Sequence, residues 1–79
     1  MQSDKLLQKA INNPDGLRFG EFQNLLERYG FVCARSRGSH FIYCSDKYRK
    51  SLPVQDNNGK VKGYQVRQFL RILEENHVI

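Results

Sequence analysis

The chain of 79 residues lacks any long apolar run. It therefore offers no membrane-spanning helix, which needs roughly 20 consecutive apolar residues. Its opening, MQSDKLLQKAINN, has no apolar stretch long enough for a secretory signal, so the expected location is cytoplasmic. Cysteine is scarce. Cys33 and Cys44 are the only two, and a cytoplasmic protein keeps such thiols reduced. They fall on neighbouring expected strands. If Arg37-Gly38 is a two-residue turn, Cys33 faces Ile42 and lies diagonal to Cys44 at about 7–8 Å, at or past the reach of a disulfide. Histidine is equally scarce, with His40 and His77. No CxxC-type spacing accompanies them, so neither a metal nor a cofactor is expected. GLRFG and RGS match neither G-x-x-x-x-G-K nor G-x-G-x-x-G, which leaves no phosphate-cradling loop. The glutamates form no paired-carboxylate site, and no histidine is clearly placed to activate a cysteine.

Acid is missing where base is concentrated. The formal charge is +5, from 13 Lys and Arg against 8 Asp and Glu. Between Arg35 and Arg71 the only acids are Asp46 and Asp56, whereas Arg35, Arg37, Lys47, Arg49, Lys50, Lys60, Lys62, Arg67 and Arg71 crowd the same span. Such asymmetry suits a polyanion, most simply nucleic acid. An acidic protein partner, or a solvated face that only keeps the chain soluble, accounts for it as well.

A chain this short is expected to form one domain, residues 1–79. Ser3 or Asp4 can cap a first helix carrying Leu6, Leu7, Ala10 and Ile11, and NNPDG, residues 12–16, stops it. A second helix is expected over 20–29, where Phe22, Leu25, Leu26 and Tyr29 make one apolar stripe, with Gly30 as its C-terminal stop. Strands follow at 31–36, 39–45 and 51–55, with SDKYRK as a polar connection. Arg37 is a poor first residue for a type I′ turn, so a bulged three-residue loop stands beside the Arg37-Gly38 turn. Pro53 marks the third strand as an edge or a bulge. DNNGK, residues 56–60, is an exposed loop. A last helix runs from Gly63 or Tyr64 to Asn76 on Val66, Phe69, Leu70 and Leu73. The expected architecture is α+β, in the order α-α-β-β-β-α. Its antiparallel sheet has helices on one face and the other face left for a ligand.

His40 opens the second strand behind Arg35 and Arg37. An imidazole can accept and donate protons near neutral pH. Adjacent guanidinium groups would favour its neutral, basic form and can bind a phosphate in bidentate fashion. RNA carries its own nucleophile, because a 2′-hydroxyl that loses its proton attacks the neighbouring phosphorus, a route that requires no metal. A lone histidine is equally explained as a polar residue at a strand edge. His77, at the end of the last helix, suits an interaction with the helix dipole. Phe41, Tyr43, Tyr48 and Tyr64 can stack on bases or fill the core.

YGFVCARSRGSHFIYCSDKYRKSLPVQ, with its Gly38-Ser39-His40 triplet followed by Leu52-Pro53-Val54, resembles the core of HicA-type toxins of bacterial type II toxin–antitoxin modules. KVKGYQVRQFLRILEEN resembles the closing helix of one HicA subgroup, so the likeness spans residues 20–76, leaving 1–19 as an added helix and turn. The resemblance implies a fold like the double-stranded-RNA-binding domain. It also implies metal-independent cleavage of mRNA with His40 as the catalytic residue, and a HicB-type antitoxin that covers the site. In that reading Arg35, Arg37, Gly38 and Ser39 bind RNA beside His40, and Lys60 and Lys62 extend the groove. One position departs from the pattern. Many members carry a histidine after the Pro-Val of the third strand, where this chain has Gln55. His40 then serves as base and acid in turn, or water or a lysine protonates the leaving oxygen. A non-catalytic RNA-binding module of the same fold and a protein-interaction module are the competing readings.

Overall fold

The computed structural model describes residues 2–79, with side chains from Lys5 onward. The elements run α1 (Gln2–Asn12), α2 (Phe19–Arg28), β1 (Val32–Arg37), β2 (His40–Ser45), β3 (Lys50–Gln55) and α3 (Gly63–Glu75), with a 3-10 turn at Pro14–Gly16. This is the α+β order expected. Helix α1 already runs from Gln2, and the side chains of Ser3 and Asp4, expected to cap it, lie outside the described residues. Among the described residues no helix is long and apolar enough to cross a membrane.

Helix α2 forms where Phe19, Phe22, Leu25 and Leu26 line one buried face. At its start the Glu21 carboxylate accepts the Arg18 backbone N–H at 2.9 Å and bridges the Lys9 ammonium at 3.0 Å. At its end the N–H groups of Gly30 and Phe31 return to the carbonyls of Glu27 and Leu26. That paired return is a Schellman stop, and it needs the left-handed backbone that Gly30 takes at φ +91°. Helix α3 ends the same way, with His77 at φ +59° and the N–H groups of His77 and Val78 on Glu74 and Leu73. His77 therefore sits in a helix stop. The core closes around Phe69, whose ring meets Phe22 at 5.6 Å, Phe31 at 5.9 Å and Tyr29 at 6.0 Å. The connection expected to be polar contributes to it, because Tyr48 is buried with its ring 5.8 Å from Phe31.

The three strands form an antiparallel meander in the order β1-β2-β3. Side chains alternate across it. Tyr43 and Ser45 on β2, and Leu52 and Val54 on β3, are buried on the helical side, where the Tyr43 hydroxyl accepts from the Gln23 amide at 3.0 Å and Phe41 packs 4.9 Å from Phe19. His40, Ile42, Cys44, Ser51, Pro53 and Gln55 take the other face. The hairpin differs from expectation. Arg37 pairs with His40, so the turn is Gly38-Ser39, neither Arg37-Gly38 nor a three-residue loop. Gly38 carries the positive φ, +59°, and Ser39 does not. A glycine at the first central position is the type II′ arrangement, whereas a type I′ turn on Arg37-Gly38 would force Arg37 into the left-handed region. A bulge at Ala34 then sets Cys33 opposite Tyr43 and Val32 opposite Cys44. Cys33 thus faces Tyr43 instead of Ile42, and the two free thiols lie on opposite faces of the sheet.

Candidate active site

The register writes three rows across the open face of the sheet. Arg37, His40 and Gln55 form the first, Arg35, Ile42 and Pro53 the second, and Val32, Cys44 and Ser51 the third. The third row is closed by a contact of 3.3 Å between Cys44 Sγ and Ser51 Oγ. Two consequences follow for His40. Its direct neighbour on β1 is Arg37, and Arg35 sits one row away on the same face, so both guanidinium groups flank the imidazole. Its direct neighbour on β3 is Gln55, the position at which the sequence departs from the HicA pattern.

The pair His40–Gln55 is a close one. On its outer edge β3 is held by the buried side chain of Gln65, whose Oε1 accepts the Gln55 N–H at 3.3 Å and whose Nε2 donates to the Pro53 carbonyl at 3.4 Å. The backbone groups of Pro53 and Gln55 therefore point away from β2. The next pair outward, toward the turn, carries the ladder, with the Asp56 N–H on the Ser39 carbonyl at 2.8 Å. His40 and Gln55 consequently form a non-hydrogen-bonded pair, the type that brings side chains closest, with Cα atoms about 4.5 Å apart. The same geometry explains Pro53, whose missing N–H lies on the outer edge.

The site is open and basic. His40, Arg35 and Arg37 are all exposed. Among the described residues no carboxylate comes within 4.0 Å of Arg35 or Arg37, the ion pairs being Lys9–Glu21 and Arg67–Asp15. His40 borders two shallow depressions. One, of about 210 Å³, is walled by Arg35, Ser36, Arg37 and Ile42. The other, of about 260 Å³, reaches Pro53, Gln55, Tyr64 and Gln68. Gly38 and Ser39 form the turn beside them. Lys60 and Lys62 do not border either depression. They flank Val61, whose N–H is tied to the Leu17 carbonyl, on a loop that also takes the Phe19 N–H on Gly59. Among the described residues no three His, Cys, Asp or Glu side chains group as metal ligands.

Three residues near the site were not singled out for it by sequence. Gln55 was noted only as a missing histidine, whereas the structure sets it against His40. Gln65 had a signal in the sequence. It lies four residues before Phe69, a polar residue on an otherwise apolar helix face. Gln68 had none.

No curated protein and no solved structure matches the chain. The family model for the HicA toxin of bacterial toxin-antitoxin matches residues 19–74. That span holds α2, the whole sheet and nearly all of α3, and with them every residue of the row Arg37–His40–Gln55. The match makes an antitoxin the toxin's counterpart. The chain belongs to the HicA family of bacterial toxin–antitoxin toxins.

Proposed function

We propose that this toxin is a metal-independent endoribonuclease that cleaves mRNA, with His40 as general base, and that a HicB-type antitoxin neutralises it by covering the open face of the sheet. The imidazole takes the proton of a ribose 2′-hydroxyl. The freed oxygen attacks the adjacent phosphorus, the bond to the 5′-oxygen breaks, and a 2′,3′-cyclic phosphate remains on the upstream fragment. Charge that builds on the phosphate is met by Arg37 across the strand and Arg35 one row along, both able to donate paired N–H groups to it. Gln55 can donate its amide N–H to the same phosphate, but an amide has no proton to give up. The departing oxygen is therefore protonated by water or by His40 in its protonated form.

The observation that supports this reading is the row Arg37–His40–Gln55 on an exposed face, flanked by Arg35, with neither arginine ion-paired among the described residues. The basic surface equally suits an acidic antitoxin. The test is induced expression of the parent beside His40→Ala, with transcript integrity followed, and purified protein incubated with labelled RNA in EDTA. The parent should fragment RNA and the variant should leave it intact. A folded His40→Ala protein that degrades transcripts like the parent refutes the assignment. RNA that the parent binds but does not cut identifies a binding module instead.

A further inference from the structure

Helix α3 carries a second exposed stripe that the catalytic reading does not use. Tyr64, Arg67, Gln68 and Arg71 recur at i, i+3, i+4 and i+7 and so share one face. The opposite face of the helix buries Val66, Phe69 and Leu73. Tyr64 is 54% exposed, unlike Tyr43 and Tyr48, and among the described residues it pairs with no other ring. The stripe begins at the candidate site. Tyr64 and Gln68 wall the depression of about 260 Å³ that holds His40 and Gln55, and they also wall an adjoining one of about 300 Å³ bordered by Arg67 and Arg71. A continuous path thus leads from the imidazole, past an open aromatic face, to two arginines. The first turn of α3, which carries Tyr64, is tied to the edge of β3 through both ends of the Gln65 amide.

We propose that Tyr64 stacks on the nucleobase next to the scissile linkage while Arg67 and Arg71 carry the phosphates beyond it, which makes the substrate an unpaired RNA segment. This rests on the nuclease reading above. Three features commit the stripe to RNA. A solvated aromatic ring offers a stacking platform to any base. The smaller depression falls below the roughly 300 Å³ of a drug-sized pocket and suits one planar base. Arg71 has no carboxylate partner among the described residues, and the Arg67–Asp15 contact, at 3.4 Å between exposed groups, is weak enough to be exchanged for a phosphate. Bases inside an A-form duplex are stacked on each other and cannot meet Tyr64, so the site selects single strands.

The experiment measures binding of a short single-stranded RNA carrying a 2′-O-methyl group at the cleaved linkage, which separates affinity from cleavage. Tyr64→Ala should weaken binding about five- to hundredfold, and Tyr64→Phe should recover most of the loss. Removing the base at the neighbouring position should cost the parent a similar factor and cost Tyr64→Ala nothing further. The same RNA annealed to its complement should bind with no dependence on Tyr64. Equal binding by parent and Tyr64→Ala, or independent losses from the ring and the base, overturns the proposal while leaving the His40 chemistry standing. Failure of the parent to bind any RNA refutes the nuclease reading and this one together. A Tyr64→Ala protein that binds RNA normally but releases its antitoxin assigns the stripe to the protein partner.

Discussion

The amide of Gln65 connects the helical layer to the edge of the sheet, and replacing it with leucine tests that connection. The substitution puts an apolar side chain of similar size where 5% of the residue is exposed. It deletes the acceptor of the Gln55 N–H at 3.3 Å and the donor to the Pro53 carbonyl at 3.4 Å. Orphaning a buried donor or acceptor costs about 1–3 kcal/mol. Both bonds are long, and the adjoining depression admits water to the strand edge, so the pair falls toward the low end. Leucine also gains some burial. The net loss should be about 1–2 kcal/mol, or a fall in Tm of about 4–16 °C for a domain of this size. Urea denaturation should show a lower midpoint at unchanged m. Hydrogen exchange localises the effect. The Gln55 amide, which faces outward, should lose protection by about tenfold or more, while the Val54 amide, which faces β2, should keep its own. An unchanged midpoint together with an unchanged Gln55 amide would refute the argument that β3 is pinned through its outer edge.

The remaining predictions concern the site, a helix stop and acid stability. Gln55→His places a second imidazole across the closest strand pair from His40 and supplies a proton donor for the leaving oxygen. Cleavage should accelerate by about tenfold or more, with a descending alkaline limb in the pH–rate profile, and an unchanged rate and profile would show that leaving-group protonation does not limit turnover. Gly30→Ala should cost about 1–2 kcal/mol in chemical denaturation, because φ +91° is strained for any side chain although the new Cβ would meet only Ser45 Oγ at 3.9 Å. The backbone N–H of Arg18, followed by the Lys9 side chain, holds the Glu21 carboxyl below the usual carboxylate range. Its contribution, no more than about 1 kcal/mol for so exposed a pair, is present above the unfolded value near pH 4.3 and is lost as pH falls through the lower folded value. Glu21→Gln should therefore lower stability at neutral pH and flatten the acid limb.

Periodicity made the elements legible, and local chemistry decided what it could not. The stripes Phe22-Leu25-Leu26 and Val66-Phe69-Leu73 announce helices because a buried face must recur every three to four residues, and both are buried. Pro53 announced an edge strand or a bulge because it lacks a ladder donor, and β3 is an edge. The hairpin was misplaced by one residue because Gly38 serves either turn. It can be the second central residue of Arg37-Gly38 or the first of Gly38-Ser39, and only the second option spares a non-glycine residue a positive φ. The Ala34 bulge left no mark in the sequence, and with it went the expected placement of Cys33. Charge counting found an excess of cations but could not distribute them. Arg35 and Arg37 reach the face of His40, whereas Lys60 and Lys62 follow a loop tied to Leu17 and Phe19.

The alternation of strands separates the two tasks of this small sheet. On β2 the odd positions Phe41, Tyr43 and Ser45 serve the core, and the even positions His40, Ile42 and Cys44 serve the open face. Side chains of the site can therefore change with little effect on stability, and core substitutions reach the site chiefly through register. Register is set on the two sides of β2, by the Gly38-Ser39 turn from β1 and by the pinned edge of β3. A slip of one residue would turn His40 toward the helices and bring Phe41 to the surface. What positions the imidazole between Arg37 and Gln55 is thus less its immediate contacts than a glycine two residues upstream and a glutamine on another element.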